Sequence, residues 1–560
     1  MGRAHWSKGA GAAVLVASLV SALVLLAAAS PTSASGPSAS GAVGAPAPAV
    51  PRLPWVADIG SAPYREQRHP GPTGPTKTLT AGEIEYTELG PAHYGQYTSL
   101  PYPKRGDRRV IWTQGTNSLV KLDAESFEVI AEHPFSDHKQ WSADEFFPQY
   151  DALRTLPPDQ QGPAVLALGA QTQTAIGAYA LLAKDNTFYL PLERTVVAYT
   201  DAVRGDPDSD IVVADEWEVP PEITGKLVGV TATFDGWLMM GTEDGFLIAL
   251  KRDFSEVRSL RLSHADDVVI DASTGLPDER PTNRNSLAVD EDGGVFTVTN
   301  GWLHKAVWRD EQLSLDEADG AWSEPYLNGT GRGSGSSPVL LGSSKDPDQL
   351  VVIQDGEPVM NVVAFWRNDV AKGASAPPGA PSPRIAAQVR ADIGDERATA
   401  IQSEQSPVIA GYQMVLTDQS PTTVPPGLPA NARILVSGLI PDVPEYTPYG
   451  IQSFEWLPKP DELVERWTND TVSPGSAFPL IDEGSGTVYS VGVRDGVFTL
   501  EGFELDTGKS RFHWRIGDSR YNNTFSAVYV DDEGRPLFGT VFGFVRLDAK
   551  GLPRVANRGD

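Results

Sequence analysis

Three acidic clusters stand out among the residues that could do chemistry, because paired carboxylates can act as a general acid and a general base. They lie at 290–292, 482–483 and 531–533. Each comes directly before the glycine of a turn that recurs along the chain. Aspartate is favoured in tight turns because its carboxylate bonds the backbone a few residues further on. The repeated position therefore favours turn formation over catalysis.

A further set of carboxylates, Asp206, Asp208 and Asp210, has the alternate spacing of a calcium-binding loop. Ile211 stands where such a loop needs a glycine, and Trp217 stands where it needs a bidentate glutamate. We therefore expect a solvated loop rather than a metal site at these aspartates.

Composition excludes several classes of chemistry and of partner. The chain has no cysteine, which removes thiol catalysis, zinc–thiolate sites, iron–sulfur clusters and disulfides. Its eight histidines are scattered, and neither H-E-x-x-H nor G-x-S-x-G occurs. With 45 Lys plus Arg against 73 Asp plus Glu, the formal net charge is −28. That charge argues against binding to nucleic acid or to an anionic membrane surface, since both need a dense basic footprint.

The elements that must position these residues read as short strands. From about residue 95 onward there is almost no helical periodicity, but there are many short runs rich in Val, Leu, Ile, Phe, Tyr and Thr, separated by Gly, Asp and Asn. The segments 286–301, 478–496 and 525–543 share one layout, in which an acidic turn with glycine joins two apolar strands. A four-strand unit that recurs roughly every 40–60 residues is typical of a β-propeller.

We therefore predict an all-β fold, a single β-propeller of seven or eight four-stranded blades. The last unit shows three strands, and the segment 83–89 can supply the fourth and close the ring. Two Pro-rich stretches, 372–384 and 419–432, lack an apolar period and are expected to be surface loops on one face. We place the blades at about 95–135, 163–220, 223–265, 283–323, 335–395, 399–470, 476–517 and 521–550.

The residues that start the innermost strands of a propeller converge on its central channel, although they are distant in sequence. Aligning the repeats predicts one ring of such positions with three charged residues beside it. Channel mouths favour ligand binding, and the same side chains could equally cap exposed strand ends by hydrogen bonding. The ring is Asn285, Ser336, Gln405, Ser476 and Asn523, and the charged neighbours are Arg284, Arg332 and Glu404.

The start of the chain has the pattern of a targeting signal. Arg3 and Lys8 come before an uncharged apolar stretch at 9–29, and small residues follow this stretch. This pattern predicts a secretory signal peptide, cleaved near Ala29 or Ala34, and hence a secreted or cell-surface protein. An uncleaved N-terminal membrane anchor is the alternative, because the stretch is about as long as a membrane span.

Three segments divide the chain on this interpretation. Residues 1–34 form the signal peptide. Residues 35–80 form a disordered linker rich in Ala, Pro, Ser and Gly, a composition that cannot bury a core. Residues 81–555 form the propeller domain. The Ala/Gly/Pro-rich composition, with more Arg than Lys, is typical of a bacterial source.

One blade carries a pattern that resembles the quinoprotein-type (PQQ-like) propeller repeat superfamily. The segment 503–517 is similar to the A-L-D-x-x-T-G-K-x-x-W element of that family, with the residues between Asp and Thr missing. In the family, this element forms the outer strand, and its tryptophan docks one blade on the next. The resemblance implies a quinoprotein-like fold and a structural role for five residues. They are Asp506, Thr507, Gly508, Lys509 and Trp514.

The same resemblance makes a PQQ-dependent dehydrogenase of alcohols or sugars one candidate function. Such enzymes usually add a calcium ion held by carboxylate and amide oxygens, a general-base aspartate and often a vicinal disulfide. The disulfide cannot form in a chain without cysteine, and the other groups do not show as a pattern.

A second resemblance concerns 280–300, which is similar to a strand pair of gluconolactonase- and strictosidine-synthase-like propellers. In the calcium-binding members, an asparagine at the start of that strand is a metal ligand. Asn285 matches it, while Ser286 replaces the usual Gly or Asp. This resemblance implies a calcium-dependent lactonase or esterase.

From these observations we expect an exported, non-catalytic binding or scaffold module that presents loops to a glycan, a small molecule or a protein. The two enzymes above are the alternatives, with PQQ or calcium as their cofactors. We expect no nucleic-acid partner, no membrane contact beyond the signal sequence, and a monomer.

Overall fold

The computed structural model describes residues 51–57, 68–69, 83–93, 95–136, 138–172, 179–278, 281–370, 375–448 and 450–548. The signal peptide expected at 1–34, both of its cleavage positions and most of the linker expected at 35–80 lie outside these residues. Within the described ranges, none of the helices has the length and apolarity needed to cross a membrane.

Eight sheets, each built on four antiparallel strands, form the blades of a β-propeller. The predicted all-β propeller is confirmed, and its blade number is eight. The second strand of blade 3, Trp237–Thr242, is buried along its whole length. Such strands are covered on both faces, which explains why they read as continuous apolar runs rather than as an alternating pattern.

In blades 1 to 7 the strands follow one another in sequence from the channel outward. Blade 1 has Gly95–Thr98, Val110–Gln114, Ser118–Asp123 and Val129–Pro134, and blade 2 has Leu181–Leu182, Phe188–Leu192, Thr195–Asp201 and Ile211–Glu218. Blade 3 has Leu227–Ala232, Trp237–Thr242, Phe246–Lys251 and Val257–Arg261, and blade 4 has Ala288–Val289, Gly294–Thr299, Trp302–Arg309 and Gln312–Ser314, with Trp322–Pro325 added on its third strand. Blade 5 has Val339–Leu341, Leu350–Gln354, Asn361–Trp366 and Ile385–Arg390. Blade 6 has Val408–Ala410, Gln413–Thr417, Ile451–Leu457 and Glu462–Asn469, and blade 7 has Leu480–Asp482, Thr487–Arg494, Val497–Glu504 and Ser510–Gly517.

Blade 8 closes the ring with strands from both ends of the propeller. Its inner strands are Val528–Val530, Pro536–Thr540 and Gly543–Asp548. Its outermost strand, Glu83–Glu88, pairs antiparallel with Gly543–Asp548. The closure predicted from 83–89 is therefore confirmed, and one sheet joins the two ends so that the array has no open blade edge there.

The acidic clusters form hairpin turns, as their repeated position predicted. The Asp290 carboxylate accepts a hydrogen bond from the backbone N–H of Asp292 at 3.1 Å. The Asp531 carboxylate accepts one from the backbone N–H of Glu533 at 2.9 Å. These carboxylates stabilise the first turns of blades 4 and 8.

Three α-helices correct the expectation of a body without helices. They are α1 (Ala143–Ala152), α2 (Pro158–Thr172) and α3 (Ile434–Leu439). A capping box starts α1, in which Ser142 and Glu145 each accept the backbone N–H of the other through their side chains. The start of blade 2 predicted at 163 is wrong, because α2 occupies that segment.

The helices pack together as a cap on the face where the innermost strands begin. We call residues 138–172 and 419–448 the cap. The Phe146 ring of α1 stacks on the Phe542 ring of blade 8, with centroids 4.7 Å apart. The Gly438 carbonyl of α3 accepts hydrogen bonds from the side chains of Asn522 and Thr524, both at 2.8 Å. The stretch 419–432, expected as a surface loop, is thus partly buried within this cap.

A short hairpin projects between blades 3 and 4 on this same face. Its strands are Ile270–Asp271 and Leu276–Pro277, and they pair with each other. We call it the 270–277 hairpin.

Two pieces of the segment expected to be a linker lie against the propeller. Leu53 and Val56 are buried in a cluster with residues of blades 2 and 3. Further along, Arg68–His69 pairs in parallel with Leu480–Asp482, the innermost strand of blade 7. That pairing places the backbone of these two residues on the channel side of the strand.

Candidate functional site

The five ring residues lie a few positions before the innermost strands of blades 4 to 8, and all of them are buried. The Asn285 amide donates to the Ser334 carbonyl at 2.9 Å, which links blade 4 to the entry of blade 5. The Gln405 amide donates to the Ser476 carbonyl, which links blade 6 to blade 7. The Ser476 hydroxyl accepts the backbone N–H of Phe525 at 3.1 Å, which links blade 7 to blade 8.

The remaining two ring residues bond within their own blades. The Ser336 hydroxyl accepts the backbone N–H of Gln354 at 3.0 Å, and the Asn523 amide donates to the Gly539 carbonyl at 3.1 Å. The ring side chains therefore hold the entries of the blades in place by hydrogen bonding. This is the structural role that the sequence analysis offered as the alternative to ligand binding.

The three charged neighbours of the ring line a cavity between the cap and the entries of blades 4 to 6. Arg284, Arg332 and Glu404 lie on the propeller side, and Gln419 and Arg433 lie on the cap side. This inner cavity has a volume of about 40 Å³. A polar space of that size admits a water molecule or a group of similar size.

A wider cavity of about 500 Å³ adjoins the inner one. Arg332, Gln402 and Arg433 line both, so the two form one site, which we call the arginine cleft. Its outer part has a volume in the ordinary range of ligand sites. Hydroxyl groups are frequent in the outer lining, which includes Ser273, Thr330, Thr399, Thr422 and Thr423.

Arg332 holds three walls of the arginine cleft together. Its guanidinium donates to the Ser273 hydroxyl at 2.9 Å and to the Ala430 carbonyl at 3.0 Å. Its Nε lies 3.4 Å from the Asp271 carboxylate. Because Asp271 and Ser273 belong to the hairpin and Ala430 to the cap, Arg332 ties both to the entry of blade 5. Arg284 in turn donates to the Arg332 carbonyl.

Three buried donors of the arginine cleft have no hydrogen-bond partner among the described residues. Nε of Arg332 is one, and it lies 3.4 Å from the Asp271 carboxylate. The other two are Nε of Arg433 and Nε2 of Gln419. The orientation of the Gln419 amide follows from its other end, because Oε1 accepts the backbone N–H of Glu404 at 2.9 Å. Buried N–H groups in proteins are nearly always paired. Both atoms are therefore free to donate to an acceptor on a ligand.

Positive charge dominates the inner end of the cleft. Burial lowers the pKa of the Arg433 guanidinium; Asp418 opposes this shift, and the positive charge of Arg332 adds to it. A guanidinium nevertheless stays protonated at neutral pH. Burial therefore makes the charge on Arg433 unfavourable. An anion that entered the cleft would stabilise this charge.

Sequence reasoning missed the cap side of this site. Arg433 and Gln419 lie in a segment that has no counterpart in the other repeats, so aligning the blades cannot find them. One signal was present: Arg433 is the one charged residue between Asp418 and Asp442, in a stretch rich in apolar residues and proline. A lone arginine in such a stretch is a candidate for burial in a site.

The described residues do not fit a calcium ion at either place that the sequence suggested. Asp206 and Asp208 form ion pairs with Arg105 at 2.6 Å and with Arg108 at 2.8 Å. No cluster of three His, Asp or Glu side chains in the described part of the chain could hold a metal ion, at Asn285 or elsewhere. The calcium ligand set implied by the lactonase resemblance is therefore not supported.

The channel entrance shows no ligand set for the calcium ion that accompanies a quinone. Among the described residues, no group of three His, Asp or Glu side chains could hold a metal ion. The cap packs closely on the entry of blade 8, since a Cβ added to Gly438 would lie 2.6 Å from the Phe525 ring. PQQ as a cofactor stays a prediction that these observations do not test.

The blade motif docks blade 7 on both of its neighbours. Its turn joins the third and fourth strands of blade 7, and Gly508 there has a φ of +65°. The Gly508 backbone lies against Trp467 of blade 6, whose indole N–H donates to the Leu505 carbonyl at 2.6 Å. Trp514 is buried in the cluster that joins blades 7 and 8. The same turn contains Asp506, Thr507 and Lys509.

Comparison with known sequences leaves the function open. A scan against protein-family models finds no match. An uncharacterized protein from Archaeoglobus fulgidus is 26% identical over 456 residues, which cover 80% of this chain and 78% of that protein.

Solved structures similar to this chain include BamB from Moraxella catarrhalis, which is 11% identical, with 64% of this chain and 95% of BamB covered and a TM-score of 0.34. Two quinohemoprotein alcohol dehydrogenases are also similar. The enzyme from Comamonas testosteroni is 10% identical, with 91% of this chain and 83% of that chain covered and a TM-score of 0.48. ADHIIG from Pseudomonas putida HK5 is 11% identical, with 91% and 82% covered and a TM-score of 0.47. The resemblance to quinoprotein-type propellers is confirmed as an arrangement of blades, which the strand pairing itself establishes.

Proposed function

We propose that this protein is an exported, non-catalytic binding propeller that holds an anionic ligand in the arginine cleft. The observation that carries this proposal is the pair of buried, unpartnered donors, Nε of Arg433 and Nε2 of Gln419, beside a second guanidinium, Arg284. A carboxylate or similar anion supplies the acceptors that these groups lack, and a guanidinium suits it because its donors form a planar fork. The predicted signal peptide supports a location at or outside the cell surface, where the protein acts as a monomer.

The chemistry of the lining favours binding over catalysis. Among the described residues that line the arginine cleft there is no histidine, tyrosine or lysine, and Glu404 is the one carboxylate. General acid–base catalysis needs a positioned group that exchanges a proton near the working pH. Arginine, glutamine, serine and threonine side chains instead orient an anion by hydrogen bonding.

Thermal unfolding with citrate as the probe tests the proposal. A ligand that binds only the native state raises the melting temperature in a saturable way. We expect citrate to do so at low ionic strength, and the uncharged polyol sorbitol to produce no saturable shift at the same concentrations. In an Arg433→Gln variant the citrate shift should be lost.

Arg397→Gln is the matched control, because it removes the same charge from a side chain that is 92% exposed and does not line the cleft, although Thr399, two residues further on, does. It should keep the full citrate shift. A citrate effect that is equal in the wild type and in both variants would be a general salt effect, and it would overturn the proposal.

A further inference from the structure

Resting on the proposed function, we infer that the ligand of the arginine cleft is an extended peptide segment of another protein, with a single carboxylate among apolar side chains. The carboxylate enters the inner end of the cleft. The apolar side chains lie over the 270–277 hairpin at the outer end.

Large apolar side chains are exposed on the hairpin and just before it. Leu276 is 64% exposed and Ile270 is 49% exposed, and Val268, two residues before the hairpin, is 75% exposed. Leu276 pairs with Asp271 and therefore lies on the face of the hairpin from which Asp271 reaches Arg332, whereas Ile270 lies on the other face. Exposed apolar side chains on one short element favour an interaction surface.

The hairpin is fixed against the cleft. The backbone N–H of Ala272 donates to the Thr330 carbonyl at 2.9 Å, and Arg332 bonds both Asp271 and Ser273. Ala272 and Ser273 also line the outer cavity, so the hairpin forms one wall of the arginine cleft. Preorganised walls lower the free-energy cost of ordering a bound chain.

The cap also supplies an apolar side chain to the outer cavity. Val424 lines this cavity and is 38% exposed. A chain that leaves the inner end would therefore pass along both Val424 and the hairpin wall. The volume of about 500 Å³ gives room for about three or four peptide residues, within the range of ligand sites.

The composition of the lining favours a peptide over a glycan. Neither cavity has a Phe, Tyr or Trp side chain in its lining among the described residues, so there is no flat ring on which a sugar could stack. Aliphatic side chains in the lining, such as Val424 and Ile434, suit aliphatic side chains of a peptide instead.

The charge of the whole chain restricts the number of carboxylates on the ligand. The arginine cleft is a small basic area on a protein with a formal net charge of −28. A long polyanion such as a polyuronate, most of whose carboxylates would lie outside the cleft, would meet repulsion from the rest of the surface, whereas a segment whose one carboxylate lies inside the cleft would not. The site therefore fits an apolar segment with a single acidic group.

Fluorescence anisotropy with three labelled tetrapeptide pools tests this inference. The first pool has three positions of mixed Val, Ile and Leu, followed by Asp and an amidated C-terminus. In the second pool Asn replaces Asp, and in the third Ser replaces the apolar positions. We expect the first pool to bind the wild type, and each replaced pool to bind at least about tenfold more weakly, because each lacks one half of the recognition.

Three protein variants locate the two halves of the site. Arg433→Gln should weaken binding of the first pool at least about tenfold, as loss of a charge-assisted hydrogen bond does. The double variant Val268→Ser, Leu276→Ser should weaken it by a similar factor while its citrate shift and melting temperature stay unchanged, because both side chains are exposed. Arg397→Gln should bind like the wild type.

The outcomes separate this inference from the proposed function. Suppose that the citrate shift depends on Arg433. If the first pool then does not bind, or if the double variant Val268→Ser, Leu276→Ser does not change its binding, the peptide inference alone is overturned. Binding of an oligogalacturonate tighter than that of the first pool would overturn it in favour of a glycan. If neither citrate nor peptide depends on Arg433, both proposals fail.

Discussion

Two arginines of the cap, Arg154 and Arg433, have opposite surroundings on the same face of the propeller. Arg154 donates from Nε and from Nη2 to the two carboxylate oxygens of Asp442, at 2.7 Å each. Burial alone would lower the pKa of Arg154, but the neighbouring Tyr150 and Asp442 outweigh burial and raise it. Arg433 has no such pair, and burial keeps its pKa low.

The comparison divides this face into a closed half and an open half. Around Arg154, aromatic rings and satisfied hydrogen bonds join α1, α3 and blade 8, so the residues there hold the cap in place. Around Arg433, donors of the cap face a cavity instead of a partner. One face thus combines a packed anchor with a site whose bonds are left for a ligand, and each half can be tested separately.

The largest effect is expected from removing the aromatic anchor of the closed half. Phe146 is fully buried and stacks on both Tyr150 and Phe542. Phe146→Ala should lower the free energy of unfolding by about 3–5 kcal/mol, since it removes a buried ring and leaves a cavity. Urea unfolding followed by tryptophan fluorescence measures the change.

Leu166→Ala is the control for this prediction, because Leu166 lies on α2 of the same cap but is 37% exposed. It should cost much less than Phe146→Ala. Equal effects of the two changes would show that the cap is not anchored through the aromatic cluster.

A smaller loss is expected from breaking the ion pair of the closed half. Arg154→Gln leaves the Asp442 carboxylate, which is 12% exposed, without its bidentate partner. An unpaired, largely buried charge costs about 2–4 kcal/mol of stability. The same urea titration measures it, and a loss below about 0.5 kcal/mol would contradict the contrast between Arg154 and Arg433.

Acid should weaken the fold, because two histidines, His93 and His304, are fully buried. Burial lowers the pKa of His93, beside the cap, to about 4, and that of His304, in blade 4, to about 3. The unfolded chain binds these protons near the ordinary pKa of about 6.5, so stability falls as the pH drops from there toward 4. Each histidine should cost about 2 kcal/mol at pH 5 relative to pH 7.

Unfolding free energies at pH 7 and pH 5 check this prediction, with His93→Gln as the variant. It should lose stability less steeply with acid than the wild type. Asp355 acts in the opposite direction, since burial raises its pKa to about 6 and favours folding as it protonates below that pH. An unchanged slope in His93→Gln would contradict the assignment.

The parts of the fold that repeat could be predicted from the sequence. Asp290 and Asp531 recur at one place in their blades, so their turns, the strands around them and the closing strand at 83–89 were all visible as a pattern. The helices were not, because α2 contains Gly162 and Pro163, which lower helix propensity. Packing outweighs that propensity: a Cβ on Gly162 would lie 2.3 Å from the Pro426 carbonyl of the facing cap segment.

The candidate site follows the same rule: its residues beside the repeated strands could be predicted, and its residues in the cap could not. Arg284, Arg332 and Glu404 could be found because they stand beside repeated blade entries. Arg433 and Gln419 could not, since they lie in an insertion within blade 6 whose path depends on contacts with α1 and α2, far away in sequence. The start of α1 does have a signal in the sequence, because Ser142 and Glu145 stand three residues apart, as in a capping box, just before an apolar run.

The smallest effect on stability is expected at Arg433, and this sharpens the comparison most. Arg433→Gln removes a buried charge whose Nε has no hydrogen-bond partner among the described residues, and this removes the free-energy cost of burying that charge. The change also removes the hydrogen bond that Arg433 donates to the Pro421 carbonyl at 3.0 Å. The two effects on stability are opposite and similar in size. The free energy of unfolding without ligand should change by less than about 1 kcal/mol in either direction. Urea titration of Arg154→Gln and Arg433→Gln side by side makes the measurement, because the two changes remove the same group from the same cap. A loss at Arg433 as large as that at Arg154 would mean that this guanidinium holds the fold together, and the open half would then be a second anchor rather than a site.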